Sequence, residues 1–317
     1  GATALNAGTI FLNATNTIPY VSTFTMASGT RLDLNNVDQI LSQLSGAGDI
    51  TNNSGTGKTL TFGLNNANTS FNGRFLAFTD AVLGTLNTQK IGSGSFDLTG
   101  GASTSTGTQT LQGGVVTYSG NAQTAFTQNV INRTATLILD NSVTNVNNRL
   151  GGPLKNMTIN GGEFKIIGNA AGSSESIGTL NAPVGNGIIT VQPGAGSTVL
   201  NINAIHGLST SSAYLLRGDN LGSTPGVGVA NVFLGGATGL SGGSGVPTLV
   251  NVSTRPDIIG DNSSSGTGQG FVAYTPGLGF RVLAASEMLG SVTNYHNTGA
   301  NLNLTGVNTF TTNQAAT

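Results

Sequence analysis

The sequence predicts an all-β fold, a parallel β-helix (β-solenoid), on three observations. Apolar and polar residues alternate in short runs along the whole chain. Turns rich in glycine separate the runs, with 49 glycines in 317 residues. Helical periodicity is nearly missing. Alternation with period two sends successive side chains to opposite faces, which is the strand pattern. The runs are Leu32/Leu34, Leu60/Phe62/Leu64, Phe96/Leu98, Leu137/Leu139, Met157/Ile159, Phe164/Ile166, Leu200/Ile202 and Leu302/Leu304. Their polar partners are mostly Thr, Asn and Ser, and β-branched Thr favours strands. Between them stand SGAGD, NSGTG, INGG and QPGAG, turns that use glycine's access to positive φ. Two stretches, VDQILSQLSG (37–46) and LAASEMLG (283–290), could each make one short helix instead of a strand.

Length and uniformity choose among all-β architectures. A sandwich or barrel closes within about 100 to 250 residues, whereas a solenoid grows without limit because each coil touches only its neighbours. The chain therefore reads as one continuous solenoid over residues 1–317, with a looser, loop-rich region at 206–300. At about 20 to 25 residues per coil and about 4.8 Å of rise, it makes roughly 13 coils and a rod on the order of 60 Å. Asn recurs at turns (LNLTG, LNINAI, TINGG), where equivalent positions on stacked coils can form ladders. In the stretch 92–120, Phe96/Leu98 and Val116/Tyr118 mark two strands. The segment between them, GASTSTGTQT, fits either a third strand or a loop.

Composition narrows the function. Only 7% of residues are charged, 11 basic against 12 acidic, for a net charge of −1. Ordinary domains carry about 25%. Near-neutrality argues against nucleic acid or an anionic membrane as the main partner. With no cysteine, disulfides and thiolate metal sites are excluded, and the absence of a free thiol suits an exported protein. No apolar run reaches the roughly 18 to 20 residues of a membrane span. No basic n-region followed by an apolar h-region begins at Gly1, so no signal peptide is read there.

The stretch KIGSGSFDLTGGASTSTGTQTLQGGVVTYSG (90–120) resembles the autotransporter-associated β-strand repeat, which reads approximately K-x-G-x-G-x-L-x-L-x-G followed by a Thr-rich link. TATLILDNSVTNVNNRLGG, INGGEFKIIGNAAGSSESIGTLNA, LLRGDNLGSTPGVGVANVFL and GTGQGFVAYTPGLGFRVLAASE look like the same large bacterial surface proteins. The resemblance implies a right-handed parallel β-helix exported to the cell surface or beyond. No C-terminal membrane barrel is read in this chain.

The search for chemistry finds little. His206 and His296 stand in no metal-ligand spacing. The acids are scattered singly, and alternation places Asp33 (LDL) and Asp97 (FDL) on the outer, solvated face. Stacking could gather Asp140, Glu163 and Arg149, as a glycan-active enzyme would need. GDNSSSGTGQG (260–270) lacks the G-K-[ST] of a phosphate loop, and RGD at 217–219 reads as a plain turn. Sequons at Asn13, Asn52, Asn68, Asn132, Asn156, Asn251, Asn262 and Asn303 are expected by chance in so Asn- and Thr-rich a chain. No catalytic residue, metal or cofactor is assigned.

Function by architecture remains. Neither end shows a charged or amphipathic cap, and exposed solenoid edges recruit other strands. The first expectation is therefore an extracellular structural protein that pairs head to tail with copies of itself. Its assembly ends would be Leu5, Ile10 and Leu12 at one side and Leu302, Leu304 and Phe310 at the other. The alternative is an adhesin that meets extracellular glycans or another cell surface, with Tyr214, Tyr274 and Tyr295 as exposed aromatics. A glycan-active enzyme is the third.

Overall fold

The computed structural model describes residues 1–53, 55–77, 84–206, 212–235, 240–242, 253–289 and 301–302. The alternating runs become short parallel strands that stack coil on coil into a β-solenoid. Sheet I has 14 strands among the described residues and runs from Ala2–Leu5 through Thr23–Met26, Gln43–Gly46, Thr69–Phe71, Ser95–Leu98 and Gly114–Tyr118. It continues in parallel through Ala135–Asp140, Glu163–Ile167, Gly185–Gln192, Ser212–Gly218 and Ser253–Asp261. Sheet II has 4 strands among the described residues, Thr9–Phe11, Arg31–Asp33, Asp49–Thr51 and Arg74–Leu76. Sheet III has 9 among the described residues, from Gln39–Leu41 through Lys58–Phe62, Leu86–Lys90, Thr108–Leu111, Gln128–Asn132, Asn156–Asn160, Ser173–Asn181 and Thr198–Ile205 to Ala230–Leu234.

Register explains the core. On sheet I, Leu98, Tyr118, Leu139, Ile166 and Val191 pair in sequence on successive coils, and all face inward. On sheet II the inward column is Ile10, Leu32, Ile50 and Phe75. Fully burying one such side chain is worth about 1.5–3 kcal/mol, and the column repeats that gain on every coil. Phe62, Phe71, Phe75, Phe96 and Phe126 meet in the lumen where sheet II ends, with Phe75 and Phe126 centroids 6.2 Å apart.

Coil length is uneven. Thr25 and Ser45 meet across 20 residues, whereas Thr190 meets Glu163 across 27. Longer coils make fewer of them than the roughly 13 expected from about 20 to 25 residues each.

Among the described residues no strand continues sheet II beyond Arg74–Leu76, and in residues 84–206 loops close the third side of the coil. The segment 101–107 is one of these loops. GASTSTGTQT is therefore loop first and strand second, since Thr108–Leu111 belongs to sheet III.

Glycine is required where coils turn in register. Gly92 has φ of 73°, and a Cβ there would stand 2.2 Å from the Gly63 carbonyl oxygen of the coil beside it. Lys90, the lysine of the repeat-like motif, turns inward at that corner. Its Nζ donates to the carbonyls of Ile91 at 2.7 Å and Gly92 at 3.1 Å, and burial lowers its pKa.

Three expectations are settled or corrected. Residues 37–46 form two strands, Gln39–Leu41 and Gln43–Gly46, not a helix. Leu41 and Leu44 fill the lumen, Gln39 satisfies Ile18 with both its amide atoms, and stacking overrides local helix propensity. In 283–290 the helical part is a single 3-10 turn, Ala285–Glu287. Asp33 is buried rather than solvated, because it lies at a corner where alternation lapses. Its carboxylate accepts the amides of Asn35 at 2.8 Å and Asn53 at 2.9 Å.

The C-terminal end expected to be uncapped, residues 308–317, lies outside the described residues. After Ser253–Asp261 the chain reverses, and Gly270–Thr275 and Gly279–Val282 extend sheet I in antiparallel fashion. Their turn folds over the last strand of sheet III, where Asn231 donates to the Leu278 carbonyl at 2.9 Å. Covering a parallel edge in this way blocks further pairing there.

Candidate binding surface

Most residues singled out from the sequence serve the core. Leu5 and Leu12 are buried and Ile10 packs against them, so their side chains belong to the first coil. Leu302 lies in a two-residue strand paired with Met288–Leu289. Leu304, Phe310, Tyr295, His296, Asn251 and Asn303 lie outside the described residues. Tyr214 is a correction: at 1% exposure it points inward, because it shares the parity of Leu216 on its strand. Tyr274 is partly buried, and its hydroxyl donates to the Leu234 carbonyl at 3.2 Å. Neither is an exposed platform.

The carboxylates also disperse. Glu163 pairs with Arg217 at 2.9 Å, and Thr190 donates to it as well. Arg149 lies elsewhere, fully buried in the loop wall. It donates to the carbonyls of Ala122 (2.7 Å), Thr144 (2.8 Å), Gly120 and Asp140 (both 3.0 Å), and to Asn141 Oδ1 (2.6 Å). The Asp140 carboxylate accepts the Ser142 amide instead. Asp140, Glu163 and Arg149 therefore form no catalytic group. Next to Arg149, buried Glu175 accepts the backbone amides of Arg149 at 2.8 Å and Leu150 at 3.2 Å. Burial pushes its carboxyl up to about 8.

RGD is not displayed. Arg217 is held by Glu163, Thr190 and the Gly266 carbonyl, and Gly218 is buried in the strand. The 260–270 loop closes on Asp261, whose carboxylate accepts the amides of Ser263 and Gly268, both at 2.9 Å. Asn52, a sequon residue, is buried at 0% exposure. Among the described residues, no three His, Asp or Glu stand together as metal ligands.

The outer faces of the two long sheets differ. Sheet I carries Asp97, Glu163, Lys165 and Arg217 outward. Sheet III carries amides and hydroxyls on two outward rows: Thr59, Asn87, Thr108, Gln128 and Asn156 in one, Thr61, Gln89 and Thr110 in the other. Neighbouring coils are linked through them, as where Gln128 donates to Thr158 at 2.9 Å. A depression of about 280 Å³ lies on this face between Thr59 and Thr110.

A second cleft, of about 350 Å³, lies where sheet III ends. Ser176, Asn201 and Phe233 pair across three coils and form its floor. Asn203, Gly235 and Pro153 line its sides. Asn203 is exposed, and its amide has no hydrogen-bond partner among the described residues. Phe233 was not singled out from the sequence. The signal was present: Val232 and Leu234 are core, so the residue between them faces out.

No protein-family profile matches the chain, and no solved structure matches it. Over 225 residues, 69% of the chain, it is 31% identical to the Adhesin BmaC autotransporter of Brucella suis biovar 1 (strain 1330). The chain spans about 6% of that protein's length. The likeness and the solenoid fit a surface β-helix protein. Neither supports self-assembly into a filament. No helix among the described residues is long and apolar enough to cross a membrane.

Proposed function

We propose that the chain is a segment of the exported passenger of a bacterial surface adhesin, acting outside the cell by contact rather than catalysis. The carrying observation is the match to an autotransporter adhesin over 69% of a chain whose fold is a stacked solenoid. Three further features agree with it. The chain lacks cysteine, its charge is low, and sheet III offers a long uncharged outer wall. Dispersal of Asp140, Glu163 and Arg149 favours contact over catalysis.

The test is adhesion of beads carrying the chain to cultured animal cells. Retention well above that of albumin-coated beads is expected. Retention equal to that of albumin beads contradicts the reading.

A further inference from the structure

We propose that the cleft at the end of sheet III binds an uncharged saccharide, with Phe233 as its platform. The proposal rests on the adhesin reading and names the ligand class of one site. Several features of the cleft point the same way. Its volume of about 350 Å³ suits one or two sugar rings rather than a protein surface. Phe233 is the aromatic side chain in the lining and sits at an outward position on its strand. The C–H face of a pyranose is apolar and slightly positive, and the face of an aromatic ring is apolar and slightly negative. The two therefore stack.

Around the ring stand the groups that read hydroxyls. Asn203 offers a free amide, able to donate and accept at once. Asn201 is bound only by a long contact of 3.5 Å to Ser176 Oγ, so its amide oxygen remains available. Amides and hydroxyls match the paired donor and acceptor character of sugar hydroxyls. None of the residues lining the cleft is charged, so nothing there neutralises a sulfate or carboxylate. That selects neutral over acidic glycans. Gly235 keeps the mouth open: a Cβ there would stand 3.2 Å from Asn203 Oδ1.

The experiment is a glycan array of neutral, sialylated and sulfated sugars probed with the full chain, followed by titration of the best binder. Neutral glycans are expected to bind. Phe233→Ala should weaken binding by about tenfold or more, and Phe233→Tyr should keep it. Asn203→Asp, at an exposed position that leaves folding intact, should also weaken it. Unchanged circular dichroism and melting would show that Phe233→Ala is folded. Val143→Ala, at an exposed site outside the cleft, should bind as the wild type does. No neutral binder, binding to acidic glycans alone, or full binding by Phe233→Ala would each overturn the proposal. Cell adhesion separates this proposal from the reading beneath it. Beads that adhere equally well with Phe233→Ala leave the adhesin standing and remove the site. Glycan binding without bead adhesion does the reverse.

Discussion

Residues 1–77 and residues 84–206 wind the same sheets I and III but close the coil differently. The first region closes it with strands, and Ile10, Leu32, Ile50 and Phe75 form an apolar column. The second closes it with loops. There the wall is held by buried polar groups: Ser103, Ser105, Asn141, Arg149 and Glu175. The transition is visible at Phe75, whose amide donates to Ser103 Oγ at 2.9 Å while its carbonyl accepts the amides of Thr104 and Ser105. A strand wall satisfies its backbone by the ladder. A loop wall keeps only scattered coil-to-coil backbone bonds, such as that from the Ser103 amide to the Gln123 carbonyl at 2.8 Å, so side chains must reach the carbonyls and amides left over. Arg149 and Glu175 do so from within the core.

That difference can be broken by mutation, and the largest effect falls on the loop wall. Arg149→Met should cost about 3–5 kcal/mol, because it leaves a set of buried carbonyls and Asn141 Oδ1 without their donor and removes the positive charge near Glu175. Denaturant melts measure the loss, and limited proteolysis should open residues 119–152 before residues 1–77. Uniform cleavage of both regions would contradict the distinction.

The strand wall should respond to volume instead. Ile50→Ala should cost about 2–4 kcal/mol by leaving a cavity in the apolar column, read by the same melts. An effect as small as a surface substitution would show that this column carries little.

Glu175 makes the loop wall sensitive to pH. Its folded pKa of about 8 lies above the unfolded value, so the stability it confers is full below the unfolded pKa. That stability is lost as pH rises through about 8, by up to about 1.4 kcal/mol per pH unit. Melting temperature should therefore fall between pH 5 and 9. Glu175→Gln, which cannot ionise, should flatten the slope, and an unaltered slope would reject the assignment.

The smallest effect belongs to the strand wall's surface. Arg74 and Asp49 pair at 2.8 Å on sheet II, with the Arg74 side chain 46% exposed. Solvent screens such a pair, so Arg74→Ala should cost less than about 1 kcal/mol and less still in high salt.

Much of this was legible in the sequence because alternation is a local signal. Phe96/Leu98 and Val116/Tyr118 face the core as their parity requires. Parity fails at corners, so Asp33 was misplaced. It also needs the right frame: Tyr214 lies in phase with Leu216, and Phe233 out of phase with Val232. Between strand and helix at 37–46 the sequence left a choice, and coil stacking decides it for strand. Gly46, for example, has no room for a Cβ, which would stand 2.0 Å from the Met26 carbonyl oxygen of the coil beside it. Gly120 and Ala122, which accept from Arg149, and the Arg149 and Leu150 amides, which donate to Glu175, lie 25 to 29 residues from their partners, and one sequence gives no register between coils.

The central claim is that a loop wall stitched by buried polar side chains is as firm as a strand wall. Site-resolved hydrogen exchange tests it directly. The amides of Arg149 and Leu150, bonded to Glu175, should exchange as slowly as those of Leu32 and Ile50 in sheet II. Exchange of Arg149 and Leu150 at the rate of exposed turns, with Leu32 and Ile50 protected, would contradict it.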